Sequence, residues 1–239
     1  MKKIKMLIVS LLCLSLCSCS LLLETKPREV KHENNQHAYM EAYRQNIQNV
    51  IAEYGKYQDN TPGAPVKGLK YGKLVDFEKD DTPELVLLHD MTVKVYRFDG
   101  NSSYLVYDQP LGCRFGQTDV SYTFAINETA PIPCLITYQT RNEWWSEELH
   151  IFTVQNGSAN TKMLLADAYV PGKESDGPCD AFHTYKINGA NVSKKEYFDA
   201  YNDAQDGKKE IDACYGDSTH LDVQANEDQL DAFLSDFGL

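Results

Sequence analysis

Leu69–Asp108 reads LKYGKLVDFEKDDTPELVLLHDMTVKVYRFDGNSSYLVYD, and four short apolar runs within it decide the fold. LKYGKLVDF, ELVLLHD, TVKVYRF and SYLVYD are rich in β-branched and aromatic residues and too short for helices. They are separated by the acidic loop Asp76–Glu84, by Asp90-Met91 and by Asp99-Gly100-Asn101, residue types that let a chain reverse. Four antiparallel strands in a meander are the expectation.

A second set of runs follows: VSYTFAI from Val120, CLITYQT from Cys134, WWSEELHIFTVQ from Trp144 and TKMLLADAYV from Thr161. Asn156-Gly157 supplies the positive φ angles of a tight hairpin turn. The sets align as a degenerate repeat. PELVLL at Pro83 matches PCLITY at Pro133, and VYRFDG at Val95 matches FTVQNG at Phe152, a period of about 50 to 56 residues. Two modules cannot close a propeller, which needs about four blades, so a curved sheet or an open sandwich is expected.

Helices flank these strands. Tyr39, Tyr43, Ile47, Val50, Ile51 and Tyr54 recur at spacings of three and four, an apolar stripe on a helix over 36–54 that Gly55 stops. After the second module, HTYKINGANVSKKEYFDAY predicts a hairpin through Asn188-Gly189 and a helix over 194–204. Ser193 is its N-cap, Glu196 completes the capping box, and Val192 with Tyr197 forms the staple. Leu230, Ala232, Phe233, Leu234 and Phe237 predict a last amphipathic helix covering the sheet. The fold class is therefore α+β and mainly antiparallel β.

The N-terminus carries an address. MKKIK is basic, and Met6–Leu16 is apolar apart from Ser10 and Ser15, the layout of a secretory signal. Leu16, Cys17, Ser18 and Cys19 resemble the lipobox of bacterial lipoproteins, with Leu at minus three and Ser before the cysteine. That resemblance implies a signal peptide over 1–18, a palmitate-type lipid anchor on Cys19, and localisation on the extracytoplasmic face of the cell membrane. Cys17 fits less well because Leu16 would occupy the cleavage position. An uncleaved anchor lengthened by Leu21, Leu22 and Leu23 is the alternative. Residues 19–36 are then expected as a tether, and 37–239 as a single domain long enough to bury one core.

Charge excludes one class of partner. The chain has 23 basic and 35 acidic residues; without Lys2, Lys3 and Lys5 the balance is 20 to 35, a net charge of −15. No basic cluster follows residue 31, so the phosphate-binding electrostatics of a nucleic-acid protein are missing. Such a body is repelled by anionic lipid and needs a lipid anchor to stay at a membrane. Of the seven cysteines, Cys113, Cys134, Cys179 and Cys214 remain after the lipobox. Local closure pairs Cys113 with Cys134 and Cys179 with Cys214, against the alternative of four reduced thiols.

The stretch DFEKDDTPE from Asp76 to Glu84 places Asp76, Glu78, Asp80 and Glu84 at positions one, three, five and nine, with the carbonyl of Thr82 at seven, a spacing suited to Ca²⁺. Leu87 at position twelve and a strand at the exit exclude an EF-hand. LVDFEKDDTPELVLL resembles the D-x-D-x-D-G-x-x-[DE]-L loop of FG-GAP repeats and of uncharacterised Gram-positive surface lipoproteins, which combine that loop with an ING-x-x-VSK-x-EY hairpin and helix. The resemblance implies calcium ligands at Asp76, Glu78, Asp80, Thr82 and Glu84; the alternative is a solvated acidic turn. Asp81 stands where the pattern has Gly, and Asp tolerates the left-handed conformation.

Trp144 and Trp145 fall on opposite faces of a strand, and with 15 tyrosines in the chain one of them is a candidate for stacking on a sugar; core packing is the alternative. His89, His150, His183 and His220 lack zinc-ligand spacing. No nucleophile elbow, phosphate loop or Cys–His signature occurs. The expectation is a non-catalytic binding module with a protein or glycan partner. A cell-wall or glycan hydrolase and an inhibitor or immunity protein are the alternatives.

Overall fold

The structure, a computed structural model, describes residues 28–57, 67–111, 120–141, 146–167, 184–215, 219–221 and 227–239. Residues 1–37 and Ala38–Leu239 are separate compact units, and the packing below belongs to the second. Helix α1, Arg28–Tyr54, begins earlier than its apolar stripe, inside the segment expected as a tether. Tyr39, Tyr43, Ile47 and Val50 are buried. Once such a segment is packed, adding polar residues to its N-terminal end costs no new nucleation.

The first meander is a four-stranded antiparallel sheet in chain order: β1 Leu69–Val75, β2 Glu84–His89, β3 Thr92–Phe98 and β4 Ser103–Pro110. The second is β5 Val120–Asn127, β6 Cys134–Arg141, β7 Ser146–Gln155 and β8 Ser158–Asp167. Asn156 and Gly157 turn β7 into β8 with φ of 50° and 75°, and both values fit the type I′ geometry that matches strand twist.

The hairpin of β9, Thr184–Ile187, and β10, Ala190–Asn191, extends the second meander beyond β8. Helix α2, Lys194–Gln205, follows with the expected cap: Ser193 Oγ accepts from Glu196 N–H while the Glu196 carboxylate accepts from Ser193 N–H. The chain then returns as β11, Lys209–Tyr215, which pairs antiparallel with β5, and β12, Thr219–Leu221. These two strands were not anticipated from sequence. They complete a sheet ordered β10-β9-β8-β7-β6-β5-β11-β12.

Strand alternation sorts side chains into four layers. Tyr71, Val86, Leu88, Val93 and Val95 of the small sheet meet Tyr122, Phe124, Leu135, Phe152 and Val154 of the large one in the inter-sheet core. The other face of the small sheet, through Leu69, Leu85, Leu87 and Phe98, packs under α1 and the last helix, α3, Glu227–Asp236. The other face of the large sheet, through Ala125, Ile136, Leu149, Leu164 and Ala166, packs under α2. Both faces of β2 are covered, which explains why it is an unbroken apolar run and not an alternating one.

Leu230, Phe233, Leu234 and Phe237 of the last amphipathic stretch are buried as expected, whereas Ala232 is exposed. Phe233 lies over Gly72 so closely that a Cβ there would sit 2.1 Å from the ring. Gln229 Nε2 donates to the Gly72 carbonyl at 2.9 Å. The missing side chain is what lets α3 reach the sheet.

Candidate functional site

The acidic loop is folded by its own carboxylates. Asp76, directly after β1, accepts from Asp80 N–H at 3.1 Å and from Asp81 N–H at 2.9 Å. Asp80 in turn accepts from Thr82 N–H at 2.9 Å. Lys79 and Asp81 are left-handed, with φ of 57° and 66°. The left-handed Asp81 matches the tolerance expected of an Asp at the glycine position; the one at Lys79 was not foreseen.

The loop is anchored inward at three points. Phe77 enters the inter-sheet core edge-on to Phe152, centroids 5.5 Å apart. The Tyr43 hydroxyl of α1 donates to the Pro83 carbonyl at 2.9 Å. Glu84, only 1% exposed, accepts from Phe77 N–H at 3.2 Å and lies 3.9 Å from Arg97 Nε. Burial pushes its carboxyl up to about 7, against the opposing pulls of the Phe77 N–H and of Arg97.

Glu78 faces elsewhere. It pairs with Arg97 of β3 through one oxygen and accepts from Gly157 N–H of the β7–β8 turn, at 2.8 Å, through the other. The acid therefore ties the first meander to the second.

The expected calcium set Asp76, Glu78, Asp80, Thr82 and Glu84 is spread over different partners. Asp76 and Asp80 bond the loop backbone, Glu78 bridges to Arg97 and Gly157, and Glu84 turns into the core. Among the described residues no three His, Cys, Asp or Glu side chains are grouped to hold a metal ion. Alternate spacing converges on an ion only if the loop wraps it, and here each carboxylate has another donor to satisfy.

Cys134 is a free, buried thiol on β6, which corrects its expected disulfide with Cys113. Burial pushes it up to about 11, so it is a packing residue and not a reactive one. Cys113 and Cys179 lie outside the described residues, as do Cys19, Trp144 and Trp145; Cys214 lies on β11. His89 is buried at the end of β2 with the Tyr54 ring tilted against it, ring centroids 4.4 Å apart. Burial, and then Lys94, hold it below its usual value, so it is a neutral packed histidine.

The site that sequence reasoning missed is an open groove of about 1140 Å³ on the outer face of the large sheet. Its floor is Cys134, Ile151, Thr153 and Lys162; one wall is the β5–β6 loop at Thr129–Ile132, the other the C-terminal half of α2. Ile132 is 47% exposed. Asn127 holds the two walls together from beneath. Its Nδ2 donates to the carbonyls of Ala204 at 3.1 Å and Asp206 at 2.6 Å, while Oδ1 accepts from Thr129 Oγ1 at 2.9 Å and Ala130 N–H at 3.0 Å. All four hydrogen-bonding positions of this buried amide are filled. Period-two alternation along SEELHIFTVQ does place Ile151 and Thr153 on one face; the walls come from segments far apart in sequence.

The four-layer arrangement of helices, small sheet, large sheet and helix, with a groove under the helix on the large sheet, defines the molecule. No protein-family model, curated protein or solved structure matches this chain.

Proposed function

We propose that the chain is a surface lipoprotein held on the extracytoplasmic face of a membrane by a lipid on Cys19, and that its folded part is a non-catalytic binding module. The address rests on the basic start, the apolar Met6–Leu16 and the lipobox-like LCSC. One observation carries the binding reading: the groove beside α2. It offers short hydroxyl and amide side chains, Thr129, Thr153 and Asn202, next to the exposed Ile132, with Lys162 on the floor and Asp203 on the wall. Mixed apolar and hydrogen-bonding lining of this size suits a segment of protein or glycan.

The carboxyls held above their usual range support binding over hydrolysis. Glu84 lies between the sheets at the acidic loop, whereas Glu147 of β7 is on the outer face of the large sheet under Tyr138. They are on opposite sides of that sheet and are not an acid and base across one cleft.

Two measurements test this. Cell fractionation of Cys19→Ser should move the protein from the membrane to the medium; unprocessed chain in the cytosol would refute the address. Ile132→Lys should abolish retention of surface-extract material on immobilised protein without altering the melting midpoint, and unchanged retention would refute the groove.

A further inference from the structure

The groove beside α2 is charged unevenly along its length. Lys162 of β8 lies at one end of its floor, whereas Asp203 and Asp206 lie toward the other, where Asn127 ties the end of α2 to the end of β5. Neighbouring charges are neutralised within the chain: Lys195 pairs with Asp199 at 2.6 Å and Lys208 with Glu210 at 3.0 Å. Lys162, Asp203 and Asp206 are exposed and have no ion-pair partner among the described residues. The last turn of α2 holds no basic residue, so the partial negative charge of the helix end adds to that of the two acids.

Strand register measures how far apart these charges lie. Lys162 stands opposite Ile151, Ile151 opposite Ile136 and Ile136 opposite Ala125, which puts Lys162 three strand spacings from β5. At about 4.8 Å per spacing the two ends are roughly 14 Å apart. That is beyond the screening length of about 8 Å at physiological salt, so neither end neutralises the other. An extended chain rises about 3.3 Å per residue and covers the interval in about four residues. Between the ends the lining offers the side chains of Thr153 and Asn202 for hydrogen bonds, and Ile132, 47% exposed, for apolar contact.

Resting on the proposal that the groove is the binding site, we infer that it receives an extended segment of a protein partner carrying a basic and an acidic side chain about four residues apart. The basic side chain pairs with Asp203 and Asp206, the acidic one with Lys162, and the backbone between them meets Thr153 and Asn202. Opposite charges at the two ends fix one register and reject a segment whose charges are both of one sign. A neutral glycan leaves both ends unmatched, and a uniformly charged polymer is repelled at one of them. With 35 acidic residues against 23 basic ones the chain attracts polycations in general, so a preference for mixed charge is what separates this site from bulk attraction.

The test titrates the purified chain by calorimetry with the blocked peptide acetyl-Ser-Lys-Ala-Val-Ala-Glu-Ser-amide, with its sequence reversal, and with controls whose two charged positions are both Lys, both Glu or both Gln. One mixed-charge order should bind at least about tenfold tighter than every control. Lys162→Glu should shift the preference to the Lys/Lys peptide, and Asp203→Lys with Asp206→Lys should shift it to the Glu/Glu peptide. Where a reversal lowers the melting midpoint, Lys162→Gln and Asp203→Asn decide, each expected to reduce the mixed-charge preference several-fold. Absence of saturable binding, tightest binding of the Lys/Lys peptide by the unaltered chain, or a ranking that these variants leave unchanged overturns the inference. Failure of the groove itself is distinguishable. If Ile132→Lys abolishes retention of surface-extract material while the peptide ranking ignores charge, the groove stands and the charge pattern falls; unchanged retention in Ile132→Lys removes both.

Discussion

The β1–β2 loop and the β5–β6 loop occupy the same place in two meanders and use the same local device. Each starts from an Asx side chain that folds back onto the backbone of its own loop, Asp76 onto Asp80 and Asp81 and Asn127 onto Ala130. Each ends at a proline followed by a buried first strand residue, Glu84 or Cys134. They differ in what lies across from them. Asp76 meets only N–H donors, and an acceptor-only carboxylate serves it fully. Asn127 meets two carbonyls at the C-terminal end of α2 as well, those of Ala204 and of the cap residue Asp206, so it needs donors and acceptors in one side chain. One turn design thus becomes an acidic surface loop in the first module and a helix clamp flanking a groove in the second.

Exchanging the two residues is the sharpest way to break this comparison. Asn127→Asp keeps the shape but turns a carboxylate onto the Ala204 and Asp206 carbonyls in a fully buried position. We expect a loss of about 4 kcal/mol in urea unfolding, with the groove wall released. A smaller loss is expected beside the first loop from Arg97→Met, which leaves Glu78 and the buried Glu84 without their shared cation. That variant should lose about 3 kcal/mol, and adding Glu78→Gln and Glu84→Gln should recover most of it.

The pH dependence of stability distinguishes the strand residues that follow the two prolines. Glu84 has a folded value near 7, above its ordinary 4.5, so the folded state holds the extra proton between these values. Its contribution is full below about pH 4.5 and is lost as pH rises through 7. Subtracting the unfolding profile of Glu84→Gln should isolate this fall. His89 acts in the opposite sense: its folded value is depressed, so stability drops as pH falls below its ordinary 6.5. Cys134, at the position matching Glu84, is already protonated throughout this range.

Milder changes sharpen the comparison from the other side. Asp76→Asn, at a half-buried position, should cost about 1 kcal/mol, far less than the reverse exchange at the fully buried Asn127. The smallest effect expected is that of calcium: added Ca²⁺ or chelator should leave the melting midpoint unchanged, because Asp76, Glu78, Asp80 and Glu84 each have a hydrogen-bond partner within the protein. A calcium-dependent rise that Asp80→Ala abolishes would restore the ion to the loop.

The parts of the fold that could be read from residues were those set by local chemistry. The strand runs, the Asn156-Gly157 and Asn188-Gly189 turns, the Ser193–Glu196 capping box and the repeat of the meander all depend on neighbours a few residues apart. The site was much less legible. Position counting placed Glu78 and Glu84 on one ion, whereas their partners are Arg97 and, for Glu78, Gly157, 79 residues on. Ile132, Lys162 and Asp203 carry no shared motif, and they line one groove only because α2 crosses the large sheet there. β11 was missed because its place beside β5 follows from the return of the chain after α2, and not from its own pattern.

Hydrophobic period, turn residues and caps act over a few bonds, and they alone determined that this chain makes two antiparallel meanders with helices at both ends. Which face each acid serves, which strand lies beside β5 and where a groove opens were decided by packing four layers against one another. Burial and hydrogen-bond satisfaction are properties of the assembled layers, and the same Asx turn takes on different work according to what is pressed against it.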